Sequence, residues 1–195
     1  MTSDGNRRLP RSPRHLAVAM LLLVVGACAS PPSDGPRQYL DEKSAATVTV
    51  AQGSLVFARE RPELAVHARD YLTLVPIDVN RMGTHVLYFY GFVWSTIDKR
   101  GSTPSGEGIA QFEIVADGRR IPLVPVRATP RELGLAEPPV RAPSGSAQLL
   151  IARTDRQTLA FLAAAGVIRA AELHDGMSEP YELWSGNPGS LVALR

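Results

Sequence analysis

The chain predicts a mainly β fold: an antiparallel β-sandwich-like domain with one short packed α-helix over about 155–165. Three observations carry this expectation. Apolar residues recur with a period of two in "ATVTVA", "SLVFAR" and "YLTLVPIDV", the spacing that lays one face of a strand on a core. Turn residues punctuate the runs at Asn80-Arg81-Met82-Gly83 and Asp117-Gly118, where glycine supplies the positive φ of a tight hairpin. "TDRQTLAFLAAAG" alone combines helical periodicity with start and stop residues.

The first 27 residues follow a different pattern. Arg7, Arg8, Arg11 and Arg14 precede an uncharged apolar run from Leu16 to Cys28. A membrane-spanning helix needs about 20 apolar residues, whereas a secretory h-region needs roughly 7–15 behind a positive n-region. The run therefore predicts a signal peptide. It closes on Val25-Gly26-Ala27-Cys28, an aliphatic residue, two small residues and the chain's single cysteine. This resembles the lipobox of bacterial lipoprotein precursors. The resemblance implies that Cys28 receives a diacylglyceryl thioether, that cleavage falls before it, and that its new amino group is acylated, as by palmitate. One acyl chain holds a protein marginally on a membrane, and two or three hold it essentially permanently. In that class an aspartate after the cysteine commonly retains the protein at the inner membrane. Here Ala29 follows, so the resemblance implies an outer-membrane anchor facing the periplasm.

Cleavage before Cys28 changes the charge balance. Four arginines and Asp4 leave, so 21 basic against 19 acidic residues become 17 against 18. A nucleic-acid partner is not expected, because such a binder needs a concentrated basic patch and only Lys99-Arg100 and Arg119-Arg120 pair up, both at expected turns. With Cys28 lipidated no thiol remains for a disulfide, so packing alone must hold the domain.

Residues 28–45 are polar and rich in Pro, Ser and Gly and predict a flexible tether, leaving 46–195 as one β-rich domain. Strands are expected at 46–51, 54–59 and 71–79, the last at a sheet edge or bulge because Pro76 lacks a backbone donor. In "HVLYFYGFVWSTID", residues 85–98, both alternating faces are apolar: Leu87, Phe89, Val93 and Ile97 on one, Val86, Tyr88, Tyr90, Phe92 and Trp94 on the other. That pattern predicts a strand buried on two sides, or one whose second face binds something. "IAQFEIVA" and "RRIPLVPV" form a hairpin about Asp117-Gly118. The Pro-rich stretch 127–146 covers a sheet edge or is mobile. A strand at 147–153 leads to the helix, where Thr154 and Gln157 have capping-box spacing and Gly166 can close the end. Short strands "VIRAAEL", "YELW" and "SLVAL" complete the domain.

Catalytic motifs are not found: there is no G-x-S-x-G elbow, no H-E-x-x-H, and no Gly-rich phosphate loop after a strand. No metal site and no cofactor are predicted. His67, His85 and His174 are separated in sequence, and His174-Asp175-Gly176 reads as a turn. Asp70, Asp78 and Asp98 would approach one another if their strands formed a hairpin, and paired carboxylates can divide acid and base roles; strand-end capping is the simpler reading of each. Tyr88, Tyr90 and Trp94 form the candidate binding surface, since tyrosine and tryptophan join apolar area to a hydrogen-bonding tip. Trp184 carries the same ambiguity between core and surface. The expected function is a lipid-anchored, non-catalytic accessory or binding module of the cell envelope, meeting the membrane through Cys28 and other envelope proteins through its domain. Two alternatives are a periplasmic hydrolase using carboxylates or His174, and a lipoprotein subunit of a secretion or appendage assembly.

Overall fold

Two tight turns start the architecture. Met82 and Gly83 both take positive φ, 50° and 85°, the type I′ pairing whose twist matches that of the flanking strands. They join β4 (Arg69–Arg81) to β5 (Thr84–Ser95) in an antiparallel ladder running from Arg81↔Thr84 to Asp70↔Ser95. Asp117 and Gly118 repeat the geometry at φ 47° and 82°, joining β6 (Gln111–Ala116) to β7 (Arg119–Leu123). The computed structural model describes residues 35–97, 111–174 and 176–194; Cys28, Asp98, Lys99, Arg100 and Asp175 lie outside them.

The remaining strands are β1 (Arg37–Asp41), β2 (Ala46–Val50), β3 (Leu55–Glu60), β8 (Gln148–Thr154), β9 (Ile168–His174) and β10 (Met177–Ser185). All pair antiparallel in a single sheet ordered β1-β2-β4-β3-β10-β9-β6-β7, with β5 on the other edge of β4 and β8 beyond β5. The path from β8 through β5, β4, β3, β10, β9 and β6 to β7 rolls back on itself. Pro125, just past β7, bridges Ala152 in β8, and the Val126 N–H donates to the Ile151 carbonyl at 2.8 Å. The expected mainly β, sandwich-like domain with one short helix is therefore present, and its two layers are halves of one rolled sheet.

Alternate side chains serve two cores. The interior of the roll holds Leu55, Phe57, Leu72, Leu74, Leu87, Phe89, Phe112, Ile114, Leu150 and Tyr181. The outer face of β4, β5 and β8 holds Val75, Ile77, Val79, Tyr88, Tyr90, Phe92 and Ile151, continued across the ladder by Val48 and Val50 of β2 and packed with Leu135. β5 is thus buried on two sides, as its sequence predicts. The Pro-rich stretch contributes Leu133, Leu135 and Val140 to this outer core, so it covers a face of the sheet rather than an edge.

Pro76 corrects one expectation. It sits mid-way along the central strand β4, opposite Phe89. On its other side β3 pairs only as far as Leu74 and β2 begins at Ile77. The Pro76 carbonyl accepts from Ala51 N–H at 3.0 Å; the missing donor points the same way, into the gap between two neighbours, and no ladder bond is lost. Gly91 on the opposite strand is needed for close approach, because a Cβ there would stand 2.2 Å from the Thr73 carbonyl oxygen.

Three further boundaries move. Strand β1 lies inside the stretch expected as tether; its side chains are mostly exposed, so the period-two signal is weak. Helix α1 (Arg156–Ala164) is capped by Asp155, whose carboxylate accepts from Thr158 N–H at 2.7 Å, one residue later than the Thr154 box. Its end is closed by Asp117, which accepts from the N–H groups of Gly166 and Val167 at 3.1 and 2.9 Å. "SLVAL" lies in a 3-10 helix, Pro188–Ala193, with Asn187 as its cap, not in a strand. Leu159 and Leu162 of α1 join Leu191 and Leu194 in filling the interior. Helix α1 follows Thr154, which pairs with Leu87 near the start of β5, and this end of the roll is therefore plugged.

Candidate binding cleft at the open end of the roll

At the other end the inward rows change character by one residue each. Phe57 is followed two residues later by Arg59, Leu72 is preceded by Asp70, Ala170 is followed by Glu172, and Tyr181 is preceded by Glu179. Because strand side chains alternate, each charge continues an apolar interior row. These residues, with Arg61, Ser95, Gln148 and His174, surround a cleft of about 610 Å³, a volume typical of small-molecule sites.

Arg59 is the hub. Its Nη2 lies 3.0 Å from Asp70 Oδ2 and 3.1 Å from Glu172 Oε2, its Nη1 pairs with Glu179, and its guanidinium lies over the Tyr181 ring, 4.7 Å from the centroid. Arg59 Nε is buried with no partner, so it presents nothing to the cleft. Arg61 Nη1 contacts Asp70 Oδ2 at 2.6 Å while its Nε pairs with Glu63. Tyr181 donates its hydroxyl hydrogen to Glu172 Oε2 at 3.0 Å. Burial alone would raise the Asp70 pKa, but Ser95, Arg59 and Arg61 more than reverse this and hold it below the usual carboxylate value. Burial, reinforced by Glu172, pushes the Tyr181 phenol far up. Asp70 is thus a fixed anion and Tyr181 a neutral donor.

Trp94 stands at the rim, half-buried, stacked on Tyr71 at 4.2 Å with an interplanar angle of 11°, its indole N–H donating to Thr73 Oγ1 at 3.2 Å. Of the aromatic residues expected to form a surface, Tyr88 and Tyr90 are instead only 4 % and 2 % exposed and pack in the outer core. Leu133, Leu135 and Val140 of the Pro-rich stretch pack into the cluster that buries them, and only Trp94 remains accessible.

Asp70 and Asp78 share one strand and face opposite ends of it, so they do not converge. Asp78 pairs instead with His85 Nδ1 at 2.7 Å, a contact the turn at 82–83 creates across eight residues. Asp70 and His174 do line the same cleft. His67 lies exposed in the β3–β4 connection at φ 70°. Arg119 stacks over Phe161 and Arg120 pairs with Glu113 at 2.7 Å, so this basic pair is engaged within the fold. Trp184 is 57 % exposed on β10, with Arg69 over its ring.

Sequence reasoning missed Arg59, Arg61, Glu172, Glu179 and Tyr181. The available signal was the charge at the last inward position of each strand, which is visible only once the strand order is known. Among the described residues no helix is long and apolar enough to cross a membrane, and no three His, Cys, Asp or Glu side chains are placed to hold a metal ion. No protein-family model, curated protein or solved structure matches the chain.

Proposed function

We propose that this is a lipid-anchored protein of the bacterial cell envelope whose domain is a non-catalytic binding module, with the cleft as its site. The observation that carries the binding reading is Arg59 shared by Asp70, Glu172 and Glu179. This arrangement fixes charges in place, whereas general acid–base catalysis needs a group free to exchange a proton near the working pH. Anchoring rests on Val25-Gly26-Ala27-Cys28, outside the described residues. Between Cys28 and β1, which starts at Arg37, nine peptide steps reach at most about 32 Å. The lipobox resemblance, with Ala29 rather than aspartate after the cysteine, supports an outer-membrane position facing the periplasm.

The anchoring is tested by fractionation with a palmitate-analogue label. The wild-type chain is expected in the membrane fraction with label, and Cys28→Ser in the soluble fraction without it. An unmodified full-length wild-type chain in the cytoplasm overturns the assignment. Binding at the cleft is tested by titrating small organic ions into the isotope-labelled chain, with saturable NMR shifts expected at residues that line the cleft, Ser95 and Glu172 among them.

A hydrolase is the second reading, favoured by Asp70 and His174 lining one cleft. It predicts a turnover that His174→Ala abolishes while the fold persists. A role as a subunit in a secretion or appendage assembly has less support, since Tyr88 and Tyr90 lie in the core.

A further inference from the structure

The cleft has two unlike walls. From β5, the segment just past it and the approach to β8 come Val93, Trp94, Ile97 and Ala147, apolar or aromatic, with Ser95, Ser146 and Gln148 among them; from β3 and Arg61 just past it, β4, β9 and β10 come the charged groups. On the charged wall three carboxylates, Asp70, Glu172 and Glu179, face two guanidiniums, Arg59 and Arg61, with the His174 imidazole at the end of β9 beside them. Arg61 is further occupied by Glu63 on the rim, and Arg59 divides its donors among all three acids. Each carboxylate can accept about four hydrogen bonds, so acceptors and negative charge are in excess where the cleft opens, at the half-exposed Glu179.

Taking this site to be the binding cleft of the preceding reading, we propose that it receives an organic cation, an ammonium group on a short aliphatic stem. The ammonium lies against Glu179 and Glu172, supplying the donors and positive charge that the wall lacks. The stem lies along Val93, Ile97 and the Trp94 ring edge, where burial of methylene groups adds to the contact. A ligand anion of the same shape meets three carboxylates and is disfavoured.

The test uses three probes with the same four-carbon stem, n-butylammonium, n-butanol and n-butyrate, titrated into the isotope-labelled full chain in neutral detergent and followed by amide and indole NMR shifts. Butylammonium is expected to give saturable shifts at Trp94, Ser95, Glu172 and Glu179. Its affinity should fall about fivefold in Glu179→Gln, the size of effect expected for one partly exposed charge, in a variant whose amide spectrum is that of a folded chain. Butanol or butyrate binding at these residues as tightly as butylammonium overturns the cation assignment but leaves the cleft a binding site. If none of the three moves these residues while the spectrum is that of a folded chain, the binding reading falls as well. Saturable butylammonium binding that Glu179→Gln leaves intact places the cation elsewhere and also overturns the assignment.

Discussion

The Asp41 carboxylate accepts a hydrogen bond of 2.6 Å from the backbone N–H of Ala136, 95 residues later in the chain. The same buried carboxylate accepts from Lys43, Ser44 and Glu137 N–H groups, tying the β1–β2 turn to the segment that covers the outer core. Burial would raise its pKa; the N–H groups of Ala136, Glu137, Ser44 and Lys43 outweigh burial, and the folded value lies below the ordinary 3.8.

Asp41→Ala should cost about 2–4 kcal/mol, because several backbone donors lose a charged acceptor at once. A carboxylate with a depressed folded pKa contributes stability that is complete above its unfolded pKa and is lost as pH falls through the folded one. Denaturant melts from about pH 6 to about pH 2 should therefore show the wild-type advantage over Asp41→Ala shrinking below about pH 4. A constant difference across that range would show that the carboxylate's charge is not what matters.

Gly91→Ala places a methyl group against the Thr73 carbonyl oxygen, and overpacking of this kind costs about 1–3 kcal/mol. Gly145→Ala is the matched control, since nothing lies within 4 Å of the added carbon. Chemical unfolding of the pair should separate them clearly, with Gly145→Ala near wild type.

Asp117 holds the end of α1 from the turn of another hairpin. Asp117→Ala removes the acceptor for Gly166 and Val167 and leaves a residue less suited to φ 47°, so about 1–3 kcal/mol should be lost. Asp117→Asn keeps a tolerant residue and one carbonyl acceptor and should lose less. Hydrogen exchange at Gly166 and Val167 should rise in both variants, most in the alanine one.

Arg59→Met leaves Asp70, Glu172 and Glu179 without their shared partner. Breaking a buried ion pair from one side costs about 3–5 kcal/mol. Arg59 helps hold the Asp70 pKa below its ordinary value, and a depressed carboxylate contributes stability that is lost as pH falls through its folded pKa, so the penalty is greatest at neutral pH and shrinks as pH falls. Stability of Arg59→Met rising on acidification, relative to wild type, is the expected signature; a deficit independent of pH would make lost packing the cause.

Much of the fold is legible in the sequence because period-two rows and the two Asx- or Met-Gly turns act locally. The double-sided apolar pattern of β5 announces the two cores before any contact is known. β1 is not legible, since an exposed edge strand of Arg37, Gln38 and Leu40 carries little apolar alternation. "SLVAL" reads as a strand because five residues cannot distinguish a strand from a single turn of helix once Pro188 and Asn187 set the cap. The cleft is the least legible part. Arg59, Asp70, Glu172 and Glu179 come from four strands, and their convergence depends on β10 lying between β3 and β9, a long-range choice that no local spacing records.

The seam at Pro125 and Ala152 has a mechanical meaning. Every other neighbouring pair around the roll is stitched by several rungs, whereas here one bridge and the Val126–Ile151 bond complete the circuit. Strain introduced into the interior, whether from heat or from an oversized guest, is relieved at the least cost by parting these two segments. The ring would then uncurl into a twisted ribbon with its remaining rungs intact.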